Sequence, residues 1–241
     1  MRPVPLTLRQ RASWLAHLFK ASTQQHHSEL RPVFAPHVPA DAVIIDVGAH
    51  AGQFSKLFAR MAPAGHVYAF EPSAYARSVL APALRFNRLD NVTILPLGLS
   101  DAPATDVLHT PLKRRASLGF GIAHLGHTLA GERAMDQTIL LTTLDAFAEE
   151  QALDRLDLIK ADIEGWELRV LEGGARTLKR FRPALFLEVD GAFLARAGDT
   201  PQALFTWLAG LGYSGFAVPG LAPTPGFTGV GDYLFLPAAK A

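Results

Sequence analysis

Short β-branched and aromatic runs alternate with stretches of helical spacing from Val43 onward. Residues 43–47, 66–70, 92–95, 138–142, 156–161, 183–189, 213–218 and 233–236 read as strands. The runs at 43–47 and 156–161 are apolar on both faces, which is how buried parallel strands read. Between the strands, residues 54–61, 74–87, 144–152 and 201–210 read as helices, with Pro82 as a kink in the second. Residues 166–181 read as a helix interrupted at Gly173-Gly174. The alternation predicts an α/β domain with a parallel sheet covered by helices on both faces. Ahead of it, Leu8, Ala12, Leu15, Leu18 and Phe19 recur at helical spacing, with Trp14 beside them. They predict an amphipathic helix ending near His26-His27, packed on the main domain; a lid, a dimer arm or a membrane contact stays open. Pro32, Pro36 and Pro39 then punctuate a linker. The expected organisation is a helix and linker over 1–42 and a ligand-binding domain over 43–241. That domain has a glycine-rich insertion at about 102–137. A long irregular insertion of this kind is often functional.

Composition changes this picture little. The chain has 241 residues, 49% hydrophobic and 19% charged, which suits a packed domain and not a disordered one. A net charge of +1 argues against nucleic acid as the partner. The absence of cysteine excludes disulfides, thiolate metal sites and a cysteine nucleophile. Charge is uneven, however. Residues 1–31 carry Arg2, Arg9, Arg11, Lys20 and Arg31 against Glu29 alone, a net +4. The apolar stretch at 14–19 is too short for a secretory signal, and no segment reaches the ~20 apolar residues of a membrane span. A cytoplasmic protein is expected.

The sharpest local feature is Asp46-Val47-Gly48-Ala49-His50-Ala51-Gly52, between a strand and a helix. Glycine there permits a tight turn and close approach of a ligand to the backbone. The helix that follows presents N–H groups at its start. In parallel sheets such a turn faces ligands at the carboxyl ends of the strands. A dinucleotide site would carry G-x-G-x-x-G, whereas here Ala49-His50 follow Gly48. Asp46 beside the turn disfavours a pyrophosphate and favours an ammonium or sulfonium charge. Glu71 ends the second strand, where a carboxylate accepts from both ribose hydroxyls. Asp101 follows the third, within reach of an adenine amino group. Together these describe S-adenosylmethionine better than NAD.

Several ordered blocks also resemble the FkbM family of S-adenosylmethionine-dependent methyltransferases. They are residues 46–55, Phe70-Glu71-Pro72, Gly98-Leu99-Ser100-Asp101, residues 156–167, residues 171–175 and residues 183–188. The resemblance covers about 43–190. It implies the class I (Rossmann-like) methyltransferase fold, with seven mostly parallel strands. The last strand, 233–236, would lie antiparallel beside 213–218. It also implies O-methylation of a hydroxyl on a sugar, glycan or polyketide-type small molecule.

On this reading Asp46 and Gly48 hold the methionine end, Glu71 fixes the ribose, and Ser100 and Asp101 border the adenine. His50, Gly52, Phe54, Pro72 and Asp162 complete the expected cofactor contacts. Asp162 and Glu164 flank the acceptor, as general base or as positioning groups. His50, beside the turn, is a base or a packing residue. No metal is predicted, although Asp162 with Glu188 has the hard oxygens a divalent cation takes. His124 and His127, and the basic run Lys113-Arg114-Arg115, are weaker candidates for a metal pair and an anionic grip. Trp166 stacks on a substrate ring or packs in the core. Two other readings remain: an NAD-linked oxidoreductase on a similar sheet, and a non-catalytic subunit that keeps the fold. A homodimer stays open.

Overall fold

A computed structural model describes residues 8–111 and 134–238. Helix α1 (Leu8–Thr23) leads through a 3-10 turn (Ser28–Leu30) and a short α2 (Arg31–Phe34) into strand β1 (Val43–Val47). Then follow α3 (Gln53–Met61), β2 (His66–Phe70), α4 (Ala74–Phe86) and β3 (Val92–Leu95). A smaller sheet comes next, from β4 (Gly98–Leu99), β5 (Ala104–Pro111) and β6 (Ala134–Thr142). The main sheet resumes after α5 (Leu144–Glu150) with β7 (Leu158–Ala161). Helices α6 (Glu167–Glu172) and α7 (Ala175–Phe181) precede β8 (Ala184–Val189). Helices α8 (Gly191–Arg196) and α9 (Pro201–Gly210) precede β9 (Tyr213–Ala217), β10 (Ala222–Thr224) and β11 (Gly231–Pro237).

The main sheet has eight strands in the order β10-β9-β11-β8-β7-β1-β2-β3. β1 pairs in parallel with β2 and β7, and β11 inserts antiparallel between β8 and β9. The expected seven strands with an antiparallel last one are therefore present. The eighth, β10, is a short edge strand that turns back on β9.

Strand alternation divides the core between the two faces. Ile45, Val47, Ile159, Leu185 and Leu187 pack with Leu144, Phe147, Leu171, Leu178 and Leu208 on one side. Ile44, Leu158 and Phe186 pack with Phe34, Leu57 and Phe58 on the other. Asp46 and Lys160 share the second side by register, an ionic pair inside an apolar layer.

Two expectations need correction. The stretch expected as a linker holds α2, and Val33 and Phe34 are buried; Pro32 sits at the start of that helix, where its missing N–H costs nothing. The ends of the expected irregular insertion are the arms of a long antiparallel pair, Ala104 opposite Leu141 through Pro111 opposite Ala134. Polar residues alternate there with Leu108, Ile139 and Leu141, which form a small cluster of their own. Helix α4 is continuous through Pro82, and 166–181 is two helices divided at Gly173-Gly174.

Candidate functional site

A cleft of about 230 Å³ opens at the carboxyl ends of β1, β2 and β7. Such a position is where open α/β sheets bind ligands. Its floor is the turn after β1. Gly48 has φ +74°, and a Cβ there would lie 2.3 Å from the Asp162 carbonyl oxygen, so only glycine fits between the ends of β1 and β7. Four of the turn's amides are spent inside the protein. The N–H groups of Gly48 and Ala49 both donate to Phe70 O, and that of Gly52 donates to Ala49 O. The N–H of His50 donates to Glu71 Oε2 at 2.7 Å.

Glu71 is 6% exposed and lines the cleft. Its second oxygen accepts from the Ser73 N–H at 2.7 Å. Burial pushes its pKa up to about 7 against the pull of those two donors. The carboxylate is thus fixed in direction, and half-titrated near neutrality.

Asp46 does not reach the cleft surface. It is wholly buried, accepts from Ser55 Oγ at 2.6 Å, and lies 3.3 Å from Lys160 Nζ. Lys160 also donates to the carbonyls of Val47 and Gly48, at 3.1 and 2.9 Å, and stands 3.9 Å from Asp162. Burial lowers the Lys160 pKa, but Asp46 and then Asp162 outweigh it and hold the ammonium charged. Lys160 therefore ties the turn to β7 and faces the cleft as a cation already surrounded by oxygen. The sequence reading missed it. The available signal was a lysine inside an apolar parallel strand, which needs a buried partner.

Gly48, His50, Phe54, Glu71, Pro72, Asp162 and Glu164 all line the cleft. Gly52 lies behind it, with φ +82° at the start of α3 and Leu80 against its α-carbon. Ser100 and Asp101 are not in the lining. Ser100 Oγ donates to Asp101 and accepts from the Trp166 indole N–H at 3.0 Å, and Arg169 pairs with Asp101 at 3.4 Å. The cleft receives Leu97, Gly98 and Leu99 from that segment instead, together with Leu108 and Thr110 from β5. Gln137 on β6 holds this wall against the start of α4, donating to Pro72 O and accepting from the Ala74 N–H.

The far side of the cleft is acidic. Burial and neighbouring Asp162 push Glu164 up to about 7, and Glu188, outside the lining, up to about 8. Glu167 is buried beneath, accepting from the N–H groups of Ile163 and Gly165, and is raised to about 7 by that burial. His50 is lowered to about 4 by burial and then by Lys160, so it is neutral at physiological pH. His27, from the turn after α1, stacks on Phe54 at 4.4 Å and closes the cleft from the N-terminal side. Nothing in the sequence reading marked it. Trp166 is in the lining. His124, His127 and Lys113-Arg114-Arg115 lie outside the described residues. Among the described residues, no group of three or more His, Asp or Glu side chains is placed to hold a metal ion.

The family profile described as the methyltransferase FkbM domain matches residues 46–214. Methyltransferase sdnD of Sordaria araneosa is 31% identical over 159 residues, covering 56% of this chain and 61% of sdnD. 2-O-methyltransferase NoeI of Sinorhizobium fredii is 27% identical over 154 residues, covering 59% of this chain and 61% of NoeI. The chain thus spans about three fifths of these two relatives. Among solved structures, methyltransferase FkbM from Methylobacillus flagellatus matches with a TM-score of 0.52 at 14% identity, over 93% of this chain and 59% of that one. A putative O-methyltransferase from Klebsiella pneumoniae matches with a TM-score of 0.51 at 13% identity, over 98% and 92%. At these identities the likeness is one of fold, the class I (Rossmann-like) methyltransferase fold.

Proposed function

Because the chain belongs to the FkbM methyltransferase family, we propose that it transfers a methyl group from S-adenosylmethionine to a hydroxyl of a small molecule or glycan. One observation carries this reading. The amides of Gly48, Ala49, His50 and Gly52 are committed within the protein, while oriented carboxylates face the cleft. Commitment of these amides leaves a pyrophosphate less of the turn to bind; Glu71 suits the ribose of either cofactor, but Asp162 and Glu164 repel a pyrophosphate. An adenosyl sulfonium needs neither amide nor cation, and gains from the carboxylates.

When bound, S-adenosylmethionine supplies an electrophilic methyl group and departs as a neutral thioether. In this reading Glu71, aimed by His50 and Ser73, accepts from the ribose hydroxyls. Leu97, Leu99 and Leu108 give the adenine an apolar slot in place of the expected Ser100 and Asp101. Asp46 acts indirectly, by holding Lys160 and through it the turn. The acidic side, Asp162 with Glu164, orients the acceptor hydroxyl and takes its proton as oxygen bonds to the methyl carbon. His50, neutral and weakly basic, packs and orients Glu71. The NoeI name, a 2-O-methyltransferase, supports an oxygen acceptor.

Calorimetry with S-adenosylmethionine, S-adenosylhomocysteine and NAD tests the cofactor. Binding of the first two and not the third is expected; NAD alone would restore the oxidoreductase reading. Cofactor binding with no labelled methyl transfer to any hydroxyl panel would favour the non-catalytic reading. Asp162→Asn is expected to lower kcat about 10²–10⁴-fold, the range for a lost proton acceptor, with affinity for S-adenosylhomocysteine, which lacks the sulfonium charge, nearly kept. Full turnover by that variant removes its role.

A further inference from the structure

The two faces of α1 do different things. One face is anchored: Trp14 Nε1 donates to Ser78 Oγ at 2.9 Å, His17 meets the Tyr75 hydroxyl at 3.1 Å, and Ala21 packs on Val79 and Ala83. The other is apolar yet open. Leu15 is 59% and Phe19 67% exposed, with exposed Ala12 and Ala16 beside them. At about 100° per residue, Leu15 and Phe19 stand about 40° and about 80° round from Arg11, and Lys20 about 180°. The apolar stripe is therefore edged by a cation on each side. The helix sequence contains no Asp or Glu. The end of α4 continues this surface, since Asn87 Nδ2 donates to Ser22 O at 3.0 Å, and Arg85, Phe86 and Arg88 next to it are exposed. Phe86 is 67% exposed, and Asp90 is the carboxylate that follows.

We propose that this face of α1, with the end of α4, docks the protein on an anionic lipid surface. Large apolar side chains at the centre and cations at the edges match a helix lying in the plane of an interface, where the long basic side chains reach up to lipid phosphates. The charge decides between occupants. A second copy packed on this face would bring a second set of these cations to a helix with no Asp or Glu to pair with them. An anionic leaflet attracts every one of them. The docking stands apart from the reaction, since neither Leu15 nor Phe19 touches the cleft.

Co-sedimentation of the full chain tests this, with vesicles of phosphatidylcholine alone and of phosphatidylcholine mixed with phosphatidylglycerol in equal parts. Binding is expected only to the mixed vesicles, and release at about 1 M salt, where the Debye length falls to about 3 Å. The Leu15→Ser/Phe19→Ser protein should bind at least about tenfold more weakly, since both apolar anchors are gone. Lys20→Glu/Arg85→Glu should do the same through charge alone, which keeps the test sound if the first variant folds poorly. Unchanged binding by either variant, equal binding to neutral vesicles, or no binding at all overturns the proposal. So does a lipid-free dimer that Phe19→Ser dissociates, which would make the face an interface between copies.

Discussion

Glu71 is the residue on which the cofactor reading turns, and its environment makes a sharp test. Two backbone donors aim its carboxylate, and burial holds its pKa near 7. Glu71→Gln keeps the shape and removes the charge. A lost charged hydrogen bond is worth about 1.5–3 kcal/mol, so calorimetry should show S-adenosylhomocysteine bound roughly 10–100-fold more weakly. Gly48 is a different kind of requirement. Gly48→Ala forces a side chain to φ +74° and into the Asp162 carbonyl. The expected cost is about 2 kcal/mol or more, read from urea unfolding, with the Asp162 side of the cleft disturbed as well. Both residues were visible in the sequence, because strand-end glycines and carboxylates announce themselves by position. Asp46 was visible too, but its direction was not. The side a residue faces depends on strand register, and register placed Asp46 under the floor with Lys160. Asp101 shows the same limit: a strand as short as β4 ends the segment earlier than its motif suggests, and the cleft receives Leu97 and Leu99.

The N-terminal elements are held to the domain by a few buried groups, and those groups predict how firmly. Lys56 Nζ, in α3, donates to the carbonyls of Ala21 and Gln24 at the end of α1. Burial, and then the neighbouring Arg60, lower its pKa to about 8. Lys56→Met should leave the end of α1 without its cap, and hydrogen exchange should rise in residues 14–27 while β1 and β7 stay protected. Phe34 is fully buried against Phe54, Phe58 and Phe186, at ring centroid distances of 6.3, 5.0 and 4.9 Å. Phe34→Ala should cost about 3–5 kcal/mol in denaturant unfolding. The three prolines made this stretch read as a linker, because breakers dominate local signals while burial is a tertiary property. Long elements were legible for the opposite reason. β1, α4 and α9 each carry a full period of apolar residues, whereas α8, six residues long, shows too little of one to be told from a loop.

Taken as a unit, the domain concentrates carboxylates where its chemistry is expected, and that has a price in stability. Glu71, Glu164 and Glu167 are each raised to about 7, and Glu188 to about 8, from an ordinary value of 4.5. The folded state therefore binds more protons than the unfolded chain in this range, and stability falls as pH rises through 7 to 8. His50 runs the other way, since a pKa lowered to about 4 favours the fold above 6.5 and weakens it as pH drops from 6.5 toward 4. Between 6.5 and 8 the four raised carboxylates outweigh the groups that run the other way, the tail of His50 near 6.5 and Lys56 near 8, so the net slope is downward. The ligand-free protein should accordingly melt at a lower temperature at pH 8 than at pH 6.5, by scanning calorimetry at matched ionic strength. Glu71→Gln should reduce that slope, because an amide carries the neutral form at every pH. A positively charged ligand should reduce it too, by giving the ionised cleft a counter-charge. A slope that ignored both the variant and S-adenosylmethionine would separate these carboxylates from the cofactor site. A slope that responds to S-adenosylmethionine more than to the neutral S-adenosylhomocysteine would report the sulfonium directly, since the two ligands differ by the charge and the methyl group that carries it.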